Sequence, residues 1–154
     1  MLKTLTTGLA LTFLASSAMP ALAAQDSAPV TPVITDGQDL FERFGGRPGL
    51  ERIMDDFLVN LNADERTAPF FRGIDETRVK RMLVEQFCVI LNGPCTYTGR
   101  SMSEAHRGMG VTEADFYALV ENLQVAMSDN GVPFRAQNRL LAALAPQHRD
   151  IIAE

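Results

Sequence analysis

Residues 50–61 read LERIMDDFLVNL, and within them Leu50, Ile53, Met54, Phe57, Leu58 and Leu61 recur at spacings of three and four. That spacing puts all six on one face of an α-helix. The stretch follows Gly45-Gly46, and Pro48 falls in the first turn, where a missing N–H is not needed. A shorter helix, about 37–44, is expected before the glycine pair. The same period returns from about Asp75, with Val79, Met82, Leu83, Phe87, Ile90 and Leu91 inward, until Asn92-Gly93-Pro94 stops it. Residues 93–101, rich in Gly, Pro, Thr and Ser, read as a loop. Thr112, with Asp115 three residues on, opens a third long helix that buries Phe116, Leu119, Val120, Leu123 and Met127 and ends at Asn130-Gly131. A last helix is predicted over 133–152, carrying Leu140, Leu141, Leu144 and Ile151 and bent at Pro146. No run alternates as a strand would, so the fold class is all-α.

The chain's 154 residues suffice for one compact domain. With 46% apolar and 21% charged residues it is neither disordered nor collagen-like. Two cysteines are too few for a disulfide-built mini-protein. The net charge of −5, with no Lys/Arg-rich run, argues against nucleic acid as a partner. Met1-Leu2-Lys3 is a short basic start, Leu9 to Met19 is largely apolar, Pro20 breaks the run, and Ala21-Leu22-Ala23 supplies the small residues a signal peptidase accepts. Residues 1–23 read as a secretory signal peptide cleaved after Ala23. The apolar run is shorter than a bilayer span and no cysteine follows to carry a lipid, so no stable membrane insertion is expected after cleavage. The expected destination is the oxidising space across the inner membrane, the periplasm. Residues 24–36 read as a flexible leader and 37–154 as the domain.

Two features sit awkwardly with helices that pack only on one another. The segment from Gly93 to Gly110 is long and glycine-rich for a bundle connection, and Phe70-Phe71 put unneeded bulk at a corner. A large flat apolar ligand accounts for both, and His106, one of two imidazoles, stands in that same segment. A single nitrogen donor beside a greasy cavity is what a haem iron takes from a protein; the alternative is a surface histidine in a loop. The other imidazole, His148, lies among Gln147, Arg149 and Asp150 and is expected to be solvated. Cys88 and Cys95 flank the stop at Asn92-Gly93-Pro94, either as a disulfide pinning the loop toward His106 or as two separate small apolar residues. Two Cys and one usable His give no four-ligand zinc set.

Several short motifs then fall in a specific order: Phe44-Gly45-Gly46, Asp56-Phe57, Ala68-Pro69-Phe70-Phe71, Gly93-Pro94, Tyr97-Thr98-Gly99-Arg100-x-Met102-x-x-x-His106, Gly108-x-Gly110-Val111-Thr112, Gly131-Val132-Pro133 and Leu144-Ala145-Pro146. Each is weak alone, but in this order and spacing they are specific. From Leu40 to Ile152 the chain resembles the group I truncated haemoglobins. The resemblance implies a two-over-two helical sandwich around haem b, with His106 as the proximal iron ligand. It further implies Phe71 against the haem face, Tyr97 near a propionate and Met102 at the haem edge, with Val79, Leu83, Val111 and Phe116 completing the lining. Arg78 and Arg100 have the charge to partner propionates.

On the distal side the chain departs from that pattern. Group I members usually carry a tyrosine directly after the phenylalanine of Asp-Phe, where this chain has Leu58, and positions that are often polar hold Val79 and Leu83. A donor beside bound O2 stabilises its partial negative charge by roughly 1–3 kcal/mol, so NO and CO lose less by its absence. Gln86 interrupts the apolar stripe, either as an inward amide available to the ligand or a water, or as a margin residue reaching solvent. Met82 lies close to where some cyanobacterial members supply a sixth iron ligand, although helical spacing reads it as a core methionine. Reversible binding of a diatomic gas (O2, NO or CO) is the implied function. The alternative is a haem enzyme, an NO dioxygenase or a peroxidase, fed by an external reductase; no distal residue here suits acid–base work.

Overall fold

The computed structural model describes residues 31–35 and 39–152; the expected signal peptide and most of the leader lie outside them. The elements are helical: α1 (Leu40–Arg43), α2 (Gly46–Ala63), α3 (Ala68–Phe71), α4 (Glu76–Ile90), α5 (Met102–His106), α6 (Glu113–Asp129), α7 (Phe134–Leu144) and α8 (His148–Ile151), with a 3-10 turn, Ala145–Gln147, between the last two. The six apolar residues of the 50–61 stretch are all buried, and the face they form packs α2 against both α4 and α6. Each such side chain stabilises the fold by about 1.5–3 kcal/mol. The helix starts follow local chemistry. Asp75 accepts from the Arg78 N–H at 3.0 Å, and Thr112 with Asp115 closes the expected capping box on α6.

Three expectations are corrected. His106 does not stand in a loop: beyond the loop at 93–101, Ser101 and Glu104 form a capping box that starts α5, and His106 is the last residue of that helix. The last helix is not one α-helix over 133–152, because Pro146 sits in the 3-10 turn that separates α7 from α8. The end of the leader is docked rather than loose, since the Ile34 N–H donates to the Ile90 carbonyl at 2.8 Å and its side chain packs on the core.

Cys88 and Cys95 are joined in a disulfide, which ties the buried end of α4 to the loop that runs toward α5. The bridge closes a short loop, a sequence separation of seven, for which chain-entropy arguments give about 2–3 kcal/mol. Replacing both cysteines with alanine is expected to lower the unfolding free energy by about that amount in a denaturant titration. An unchanged midpoint would refute it.

The α2–α3 corner, which carries Phe70 and Phe71, is anchored to α6. Arg66 donates to Asp64 at 2.7 Å and reaches Glu121 at 2.8 Å, while Asn122 donates to Asp64 at 2.8 Å. The Arg66 hydrogen bonds hold the Asp64 carboxyl well below the usual carboxylate range. This exposed network therefore adds its small share of stability above the ordinary carboxylate pKa and loses it as the pH falls through the depressed value.

Candidate functional site

All the major helices contribute to one cavity of about 540 Å³, inside the range of roughly 300–1,000 Å³ usual for cofactor and ligand sites. Phe57 and Leu61 come from α2, Phe70 and Phe71 from α3, and Val79, Met82, Leu83, Gln86 and Phe87 from α4. The opposite side is built by Met102 and His106 of α5, Phe116 and Leu123 of α6, and Leu144, Gln147 and Ile151. Arg78, Arg100 and Tyr97 bring the polar part of the wall. The cavity thus gathers His106, Phe71, Tyr97, Met102, Val79, Leu83, Phe116 and Gln86 of the residues singled out from sequence. It leaves out Leu58 and Val111, both buried elsewhere. Successive helix residues diverge by about 100°, so with Phe57 and Leu61 facing the cavity Leu58 is turned toward a separate surface groove between α2 and α4. Val111 stays in the connection that leads to Thr112.

His106 is presented with one nitrogen already used. Its Nδ1 lies 2.8 Å from the Met102 carbonyl oxygen. A carbonyl only accepts, so Nδ1 carries a hydrogen, and in the neutral ring Nε2 is the nitrogen with the free lone pair. The segment before it is a clip. Tyr97 donates its hydroxyl to the Arg100 carbonyl at 2.8 Å, and Thr98 donates through both N–H and hydroxyl to Glu85 of α4 at 3.0 and 2.7 Å. Gly99 lies under the Tyr97 ring, where an added Cβ would come within 2.3 Å of the ring and push it aside. Burial pushes the Tyr97 phenol pKa up, which keeps it a neutral donor.

Gln86 is buried at 5% exposure, so its amide does not reach solvent. Its Nε2 donates to Gln147 Oε1 at 3.2 Å and lies 3.5 Å from Met102 Sδ. Gln147 was not anticipated from sequence, yet it continues the spacing of Leu140 and Leu144 toward Ile151 and is therefore a polar residue on an apolar face. His148 is only partly solvated, its side chain 33% exposed. Its ring stands edge-on to Phe116 with centroids 4.8 Å apart, and its Nε2, buried without a hydrogen bond, lies 4.0 Å from the Glu113 carboxylate.

The donor set fits a haem. Among the described residues no group of three His, Cys, Asp or Glu side chains can hold a bare metal ion, so a metal on His106 must bring its other ligands with it. A flat apolar macrocycle carrying carboxylates matches aromatic and aliphatic walls with Arg78 and Arg100 at the polar part. No helix among the described residues is long and apolar enough to cross a membrane.

The family model for bacterial-like globins matches residues 39–152. A group 1 truncated hemoglobin of Mycolicibacterium paratuberculosis is 36% identical over 107 residues, covering 70% of this chain and 79% of that protein. The crystal structure of the truncated hemoglobin from Tetrahymena pyriformis, Fe(III) form, aligns with a TM-score of 0.72 at 27% identity, over 76% of this chain and 100% of that one. A 2/2 hemoglobin from Synechococcus, in the cyanomet state and with covalently attached heme, aligns with a TM-score of 0.69 at 26% identity, over 75% and 98% of the two chains.

Proposed function

Because this chain belongs to the bacterial-like globin family, among the group I truncated haemoglobins with their two-over-two fold and haem-based gas binding, we propose that it holds haem b through His106 Nε2 and binds O2, NO or CO reversibly. The observation that carries this reading is the imidazole at the cavity wall with its Nδ1 hydrogen given to the Met102 carbonyl. That hydrogen bond selects the tautomer and fixes the ring's rotation. When bound, haem would supply an iron able to take a diatomic gas. Phe71 and Met102 give the ring its apolar contacts, and Arg78 and Arg100 are the cations available to its carboxylates. Val79, Leu83 and Met82 face the cavity without a hydrogen-bond donor, so these side chains favour NO and CO relative to O2.

We place this activity in the periplasm. The basic start at residues 1–3, the apolar run and Ala21-Leu22-Ala23 support export, and a Cys88–Cys95 disulfide suits an oxidising space. The partners in this reading are the gas itself and an external reductase that keeps the iron ferrous, with no nucleic-acid or membrane partner.

The test is to titrate the purified protein with hemin, reduce it and add CO. A Soret band that saturates at one hemin per chain and shifts on CO binding is expected, with a ferric spectrum of high-spin, water-ligated type because Met82 packs in the wall. A chain that stays colourless and leaves hemin in solution overturns the proposal.

A further inference from the structure

We infer that Gln86 is a positioning residue for the proximal imidazole and not a donor to the gas, an inference that rests on the haem reading above. Gln86 belongs to α4, but its amide is bound to two other elements. One is Met102 of α5, with Sδ 3.5 Å from Nε2, and the other is Gln147 of the turn before α8, with Oε1 at 3.2 Å. An amide NH2 has two hydrogens, and these two acceptors use both. What remains is the Gln86 carbonyl oxygen, an acceptor, which cannot stabilise the negative end of a polarised ligand.

The same Met102 that receives the amide through its sulfur accepts the His106 Nδ1–H through its backbone carbonyl at 2.8 Å. Gln86 therefore acts on the imidazole through one residue. The need for such a tie is plain from α5 itself. It has five residues and none is buried, and a helix this short does not hold its place unaided. The Ser101–Glu104 box fixes where α5 begins but reaches nothing outside its own first turn. α5 also packs on α8, directly after Gln147, so the amide pair joins α4 to the two elements that bracket His106. Both amides are more than nine-tenths buried, 5% and 8% exposed, where an unpaired amide is costly and swinging away is disfavoured.

The experiment uses the hemin-loaded full chain and the variants Gln86→Leu and Gln147→Leu. Two vibrational bands are read: the iron–histidine stretch of the ferrous, ligand-free protein, and the C–O stretch of its CO adduct. Both variants are expected to shift or split the iron–histidine band and to lose hemin about tenfold faster, while the C–O stretch stays put. A C–O stretch that moves with an unchanged iron–histidine band assigns Gln86 to the gas side and overturns the inference. Two unchanged bands overturn it as well, even where the melting temperature drops, since a merely structural role does that. Should either variant fail to fold, Met102→Leu removes the sulfur but keeps the carbonyl acceptor and must show the same iron–histidine shift. If the unaltered protein takes no hemin, it is the haem reading that has failed, and the inference falls with it.

Discussion

Replacing His106 with alanine is expected to weaken hemin binding severely and to abolish the five-coordinate histidine-ligated ferrous spectrum, with excess imidazole restoring that spectrum. The variant removes the one imidazole on the cavity wall. No second histidine substitutes, because His148 is held edge-on to Phe116 and is not among the residues lining the cavity. Hemin is not lost entirely, since the apolar walls built by Phe57, Phe70, Phe71 and Phe116 still bury the macrocycle. Added imidazole rescues because α5 keeps its shape without the ring: its capping box lies at the other end of the helix, and the Met102 carbonyl still awaits an N–H. The measurement is a hemin titration of both proteins with and without imidazole, followed by reduction. His148→Ala serves as the control and leaves the spectrum unchanged. An unaltered ferrous spectrum in His106→Ala would mean that another residue carries the iron.

The two sides of the site differ in how well the sequence discloses them, and the reason is physical. The proximal side is local: Tyr97, Gly99, Arg100, Ser101, Met102 and His106 lie within ten residues and interact mainly with one another. A motif of that kind is visible as spacing. Long helices are visible for a related reason, since α2, α4 and α6 repeat their apolar period over several turns. Helices α3 and α5 are too short to show a period, and neither buries a residue completely. For α5 the signal that the sequence reading passed over is Ser101-x-x-Glu104, a cap and not a stripe. Gln86 defeated sequence reasoning because the residue that decides its direction, Gln147, lies 61 positions away. Leu58 failed differently. Its burial followed from the helical period, but the period cannot say which part of a wide apolar face meets the cavity and which meets α4. His148 looked solvated beside charged neighbours, whereas its ring is claimed by Phe116 from another helix.

Gly49→Ala is expected to destabilise the domain by at least about 3 kcal/mol, enough to consume much of the roughly 5–15 kcal/mol that separates a folded domain from its unfolded chain. Helix propensity alone predicts the opposite sign, since alanine in a helix interior is ordinarily better than glycine by about 1 kcal/mol. The close approach of the chain before α2 reverses it. Gly45 turns the backbone with φ +79, and the Phe44 carbonyl then rests directly on Gly49, so that an added Cβ would lie 1.9 Å from that oxygen and 2.8 Å from its carbon. Both atoms are backbone, and no side-chain rotation relieves the overlap. The corner must open, and Phe44, only 2% exposed, is drawn out of the core with it. Deleting a buried phenylalanine costs about 3–5 kcal/mol, which sets the scale. The damage is transmitted to the cavity, because α2 delivers Phe57 and Leu61 to its wall about two and three turns further along. Thermal unfolding of the variant should therefore shift downward by about 6–12 °C or more, on the basis of about 2–4 °C per kcal/mol for the larger domains and more for smaller ones, and hemin loss should quicken in parallel. A Gly49→Ala protein that melts with or above the parent would show that the corner yields without expelling Phe44.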